Sequence, residues 1–152
     1  MSDTTLQAAL EKEHHEIDSG IAQYLQEPTD AVPLRCSIAA LRRHIYLEED
    51  FLFPPLRETG LVVPILVMIR EHGEIWSAMD EAEKLLDQNG DANALAEVCD
   101  TLIKLQEAHN AKEEPIIYAQ ADAKISFDVA ARLQAYIADS TLPEGWGCQA
   151  LG

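Results

Sequence analysis

Apolar residues recur along this chain at intervals of three and four, the spacing that lines one face of an α-helix. A first stripe of Leu6, Leu10, Ile17, Ile21 and Leu25 predicts a helix from about Thr5 to Glu27, stopped by Pro28-Thr29-Asp30. Pro33 suits a first turn, where its missing N–H costs nothing. The second helix that it opens carries Leu34, Ile38, Leu41, Ile45 and Leu52, and Pro54-Pro55 is expected to end it. After Thr59-Gly60 a third helix starts near Pro64, with Ile65, Met68, Ile75, Met79 and Leu86, and Asn89-Gly90-Asp91 marks its end. A fourth follows with Leu95, Val98, Leu102, Leu105, Ile116 and Ile117. Phe127 to Ile137 is a shorter amphipathic stretch, and the tail beyond Ser140, with Pro143, Gly145 and Gly147, reads as irregular. No segment alternates apolar and polar residues like a strand. Short connections between helices of similar length favour antiparallel neighbours. The expected fold is therefore all-α: an up-down-up-down antiparallel four-helix bundle with a short C-terminal fifth helix over residues 1–140, then a tail at 141–152.

Composition narrows what such a bundle can meet. With 47% apolar residues among 152, the chain can build a core. Its 27 acidic against 11 basic side chains give a formal charge of −16, which argues against nucleic-acid and anionic-membrane partners. The longest apolar run, Leu61 to Ile69, is broken by Pro64 and falls short of the ~20 residues of a spanning helix. No secretory signal is visible, and Cys36, Cys99 and Cys148 form no Cys-x-x-Cys pair. They read as reduced packing residues of a cytoplasmic protein.

The chemistry lies where the stripes are interrupted. His14 stands between Leu10 and Ile17, His72 between Met68 and Ile75, His44 and Glu48 between Leu41 and Leu52, and His109 and Glu113 between Leu105 and Ile116. Residues four apart share a helix face, so each His-x3-Glu pair points one way. The midpoint of His14 and His44 falls at Thr29, that of His44/Glu48 and His72 at Thr59, and that of His72 and His109 at Gly90-Asp91. All three are turns, so the six side chains are expected at one level. The chain also repeats weakly: Glu13-His14-His15-Glu16-Ile17 matches Glu71-His72-Gly73-Glu74-Ile75 at four of five positions. His44-x3-Glu48-Glu49 likewise matches His109-x3-Glu113-Glu114, with Phe53 and Tyr118 five residues beyond the first glutamate.

A lone inward histidine is usually a hydrogen-bonded core residue. Two inward carboxylates are different, because each costs several kcal/mol uncompensated or is forced neutral. Metal resolves the conflict. Six ligands exceed one tetrahedral zinc site and suit two metals bridged by the carboxylates and an oxo or hydroxo group. Donors without thiolate favour iron or manganese, with zinc competing through affinity alone. Glu13, Glu49, Glu71 and Glu114 adjoin ligands and are expected to face solvent, hydrogen bonds to the imidazoles being the alternative. Trp76, Phe53 and Tyr118 either wall the site or simply pack the bundle, and Tyr46 or Tyr118 as a phenolate ligand is the remote option.

On the order His, His-x3-Glu, His, His-x3-Glu, and on the run Glu48-Glu49-x-x-Leu52-Phe53-Pro54, the chain resembles the hemerythrin-like family of HHE cation-binding domains over about Leu6 to Asp122. The resemblance implies a non-haem di-iron centre with His14, His44, His72 and His109 as terminal ligands and Glu48 and Glu113 bridging. Members bind O2 reversibly, sense oxygen or iron, or react with peroxide and nitric oxide. Two positions depart from the oxygen carriers: Trp76 replaces a second histidine on the third helix, and the fourth offers His109-x3-Glu113, with Glu114 at their Asp spacing. Only His15 remains as a possible fifth histidine. The expectation is a di-iron protein binding O2 or a related diatomic for oxygen, redox or iron sensing or buffering. The alternative is an enzyme reducing or disproportionating peroxide or nitric oxide. Iron storage ranks last, because its Glu-x-x-His pattern occurs only at Glu11-x-x-His14. Oligomeric state is left open.

Overall fold

The computed structural model describes residues 5–151, and no strand occurs among them. Helix α1 spans Leu6–Gln26, α2 Val32–Leu47, α3 Phe53–Glu58, α4 Val63–Asp87, α5 Ala92–Glu113, α6 Ala119–Lys124 and α7 Phe127–Ala138. A π-helical turn, Glu48–Leu52, joins α2 to α3, and a second, Glu114–Tyr118, joins α5 to α6. Side-chain caps start three of the helices. Thr5 Oγ1 accepts the Ala8 N–H, Asp91 that of Asn93 and Ser126 that of Val129, each worth about 1 kcal/mol.

The second helix does not stop at Pro54-Pro55 as the pattern suggests. Helix α2 widens into the π turn, where the Phe53 N–H reaches Glu48 O, and both prolines then sit in the first turn of α3. Proline is tolerated in a first turn, where a missing N–H and a fixed φ cost little. The fourth helix repeats the device: Pro115 is the second residue of its π turn, and the Ala119 N–H reaches Glu114 O. The register change turns Ile116, expected in the stripe, out to 41% exposure and brings Ile117 and Tyr118 inside.

Helix α1 packs along α2 and α4 along α5, while α1 also meets α5 and α2 meets α4. Contacts climb one helix as they descend its neighbour. Ser37 and Arg43 of α2 reach Ile17 and Glu13 of α1, and Arg35 and Arg42 reach Asp87 and Asp80 of α4. Two apolar cores result. Ile17, Ile21, Leu41, Ile75, Met79 and Leu102 belong to one, and Leu6, Leu10, Leu47, Phe53, Met68 and Ile117 to the other. Each inward histidine falls, in sequence, between a residue of the first core and one of the second.

Helix α7 lies against α1 and α2. The tail is mostly irregular, yet packed. Trp146 meets Trp76 and Tyr46 edge-on at 5.6 and 5.3 Å, and Cys148 is buried. Among the described residues no helix is long and apolar enough to cross a membrane.

Candidate metal centre

His14 of α1, His44 of α2, Glu48 of the first π turn, His72 of α4, and His109 and Glu113 of α5 meet between the two cores, none more than 2% exposed. They form two groups of donors that share both carboxylates. Ligand atoms of His14, His44, Glu48 and Glu113 lie within 4.8 Å of one another, as do those of Glu48, His72, His109 and Glu113. Glu48 turns one oxygen to each group: Oε2 is 3.3 Å from His44 Nε2 and Oε1 is 3.1 Å from His72 Nε2. Glu113 Oε1 stands 3.3 Å from both His14 Nε2 and His109 Nε2. Two donors bonded to one ion at about 2.1 Å and at right angles are about 3.0 Å apart, so these are the spacings of neighbouring ligands. His15 is exposed on the outer side of α1, outside both groups.

The glutamates beside the candidate donors do not face solvent as expected. Glu13 meets His44 Nδ1 at 2.8 Å, Glu49 meets His72 Nδ1 at 2.6 Å, Glu71 meets His109 Nδ1 at 3.0 Å and Glu114 meets His14 Nδ1 at 2.9 Å. Helix α1 thus lends Glu13 to α2, the first π turn Glu49 to α4, α4 Glu71 to α5 and the second π turn Glu114 to α1, which closes a ring. One residue from a ligand is about 100° round the helix. In a bundle that direction is tangential, toward the neighbouring helix, rather than outward. An Nδ1–H held by a carboxylate fixes the tautomer and leaves the Nε2 lone pair facing the centre. The only sequence trace of this ring is the repeat, which carries the glutamates along with the ligands.

The electrostatics point to missing positive charge. Burial opposes charging the imidazoles, yet the carboxylates prevail: Glu113 and Glu71 hold His109 up at about 10, and Glu48 and Glu13 raise His44 well above its ordinary value. Burial likewise opposes ionising Glu48, but His44 and His72 pull it well below the usual carboxylate range. The hydrogen bond from His109, against burial and with help from Lys112, brings Glu71 to about 2. Imidazoles raised in this way favour a proton on Nε2, which a metal must displace at His44 and His109 to reach the lone pair. Even so, Glu48 Oε1, His72 Nε2 and both oxygens of Glu113 have no hydrogen-bond partner. With neutral imidazoles, the six carboxylates of the layer meet Arg43 and Lys112, which leaves four negative charges. Arg70, 4.0 Å from Glu71, stays in solvent. Two divalent cations would cancel those four charges. The donor set and its orphaned atoms fit a pair of metal ions.

Aromatic residues complete the layer. Phe53 stacks on His72 at 5.7 Å and Tyr118 on His14 at 5.2 Å. Tyr118 is fully buried, and burial with the charges of Glu113 and Glu48 pushes its phenol well above the ordinary range. Trp76 packs instead on Trp146 and under Arg42. Cys36, Cys99 and Cys148 are unpaired, and burial pushes the Cys99 thiol to about 11, which suits packing rather than redox work. A surface groove of about 960 Å³ between α1 and α2, lined by Lys12, His15, Gly20, Pro33 and Cys36, touches none of the six donors.

The family model described as the hemerythrin HHE cation binding domain matches residues 5–121 of this chain. No curated protein and no solved structure matches it.

Proposed function

The chain belongs to the hemerythrin HHE cation-binding family, and on that premise we propose that it holds two iron ions and binds O2 or a related diatomic for sensing or buffering. The observation that carries this reading is the sharing of Glu48 and Glu113 by two groups of imidazoles in one buried layer. His14 and His44 would hold one ion and His72 and His109 the other, with the two glutamates bridging. Bound iron supplies an electron-rich centre with coordination positions for a small ligand.

The chain's own residues do the rest. Glu13, Glu49, Glu71 and Glu114 keep the Nδ1 protons and aim the Nε2 lone pairs inward. Leu10, Leu47 and Phe53 on one side, and Ile17, Leu41 and Ile75 on the other, exclude water. Donors no more than 2% exposed favour a small uncharged ligand over a bulky substrate. The opposed contact order of neighbouring helices supports an up-down-up-down bundle, and the unpaired cysteines support a reducing, cytoplasmic setting.

The reading is tested on protein loaded with ferrous iron. Exposure to oxygen should produce a visible absorption that bleaches on reduction and returns with oxygen. Full iron occupancy with no oxygen-dependent spectrum would overturn it. Turnover of peroxide or nitric oxide beyond that of a Glu48→Ala/Glu113→Ala variant, without the reversible response, would move the assignment to an enzyme.

A further inference from the structure

The phenol of Tyr118 lies inside the donor set rather than around it. Its Oη is 2.9 Å from His14 Nε2, 2.9 Å from His44 Nε2 and 2.5 Å from Glu48 Oε2. With both Nδ1 atoms held by glutamates, the two Nε2 atoms in the neutral form that binds a cation, together with the Glu48 oxygen, present three lone pairs to the phenol. A phenol has one hydrogen, so it can satisfy one acceptor and must set its own lone pairs against the other two. A cation between them removes the conflict. The spacing is again that of neighbouring donors on one ion, about 3.0 Å for bonds of about 2.1 Å.

The internal repeat shows that only one half of the molecule carries this group. Tyr118 lies five residues beyond Glu113 as Phe53 lies five beyond Glu48. Tyr118 stacks on His14, and Phe53 stacks in the matching place on His72, with no oxygen to offer. The two hairpins differ here by one hydroxyl, and that hydroxyl points at the ligands.

We infer that Tyr118 is a seventh protein ligand, binding as phenolate to the ion held by His14 and His44. The inference rests on the di-iron reading above. It makes the two ions unequal. One has His14, His44, Glu48, Glu113 and Tyr118, while its neighbour, lacking a fifth donor, keeps the open position for the small ligand. The phenol proton leaves to solvent as the ion binds. A multivalent cation at about 2 Å favours the phenolate.

Ferric-loaded wild-type, Tyr118→Phe and Phe53→Tyr proteins test this. The wild type should bind two irons and show a visible phenolate-to-ferric charge-transfer band. Resonance Raman excited in that band should show tyrosine ring modes that shift when the protein is made with ring-deuterated tyrosine. Tyr118→Phe should keep two irons and lose the band, and Phe53→Tyr should strengthen it. Two irons in the wild type without tyrosine ring modes, or a band that survives Tyr118→Phe, would overturn the inference and leave the di-iron reading standing. A wild type that binds no iron would sink the di-iron reading itself. Should Tyr118→Phe fail to fold, the isotope shift in the wild type still decides.

Discussion

Glu49 illustrates how much of this site lies outside the six candidate donors. One oxygen binds His72 Nδ1 at 2.6 Å, and the other takes the Gln149 N–H at 2.9 Å, so a single buried carboxylate ties a ligand to the tail. Glu49→Gln keeps the shape and removes the charge that holds the Nδ1 proton. Competition with a chelator should show metal affinity lowered about 10- to 100-fold, the usual effect of losing such a partner. Affinity equal to the parent's would mean that the ring of glutamates does not position the ligands. The six candidate donors were legible because a histidine or glutamate in an apolar stripe contradicts its surroundings. Their glutamate partners were not, because a residue next to a ligand looks like any acidic residue on a solvated face. Tyr118 was obscured for a related reason: a phenol among apolar neighbours is ordinary core until its oxygen is placed.

The helices themselves were legible wherever α periodicity held, and the reading failed where it broke. In an α-helix a residue five positions on lies about 140° round. A π turn closes its hydrogen bonds over that interval and brings the residue back toward the same face. That turn separates buried Tyr118 from the pattern that favoured Ile116, and it lets Pro54 and Pro55 continue a helix they would otherwise end. Connection lengths set the level of the six donors, which is why turn midpoints located the layer. Close helix approach also has a residue signature at Gly20, where an added Cβ would fall on Ser37 Oγ and come 3.1 Å from Pro33 O. Gly→Ala inside a helix ordinarily gains up to about 1 kcal/mol. Here overpacking between α1 and α2 should win, so Gly20→Ala should lose about 1–3 kcal/mol in chemical denaturation. A stabilised variant would show that the two helices have room to part.

Across the whole molecule, the charge of −16 divides into two unequal parts. Most acidic residues solvate outer faces and set solubility without setting the fold. Six carboxylates are instead drawn into one layer, with Arg43 and Lys112 the basic side chains in close contact with them among the described residues. Two apolar cores enclose that layer, so the bundle is built around carboxylates that either protonated imidazoles or a bound cation must compensate. Uncompensated buried carboxylates cost several kcal/mol each, a large share of a stability of about 5–15 kcal/mol. Metal content of protein purified with no metal added therefore tests the account most directly. The expectation is two metal ions per chain, both lost from a Glu48→Ala/Glu113→Ala variant; a folded wild-type protein holding one ion or none would contradict it.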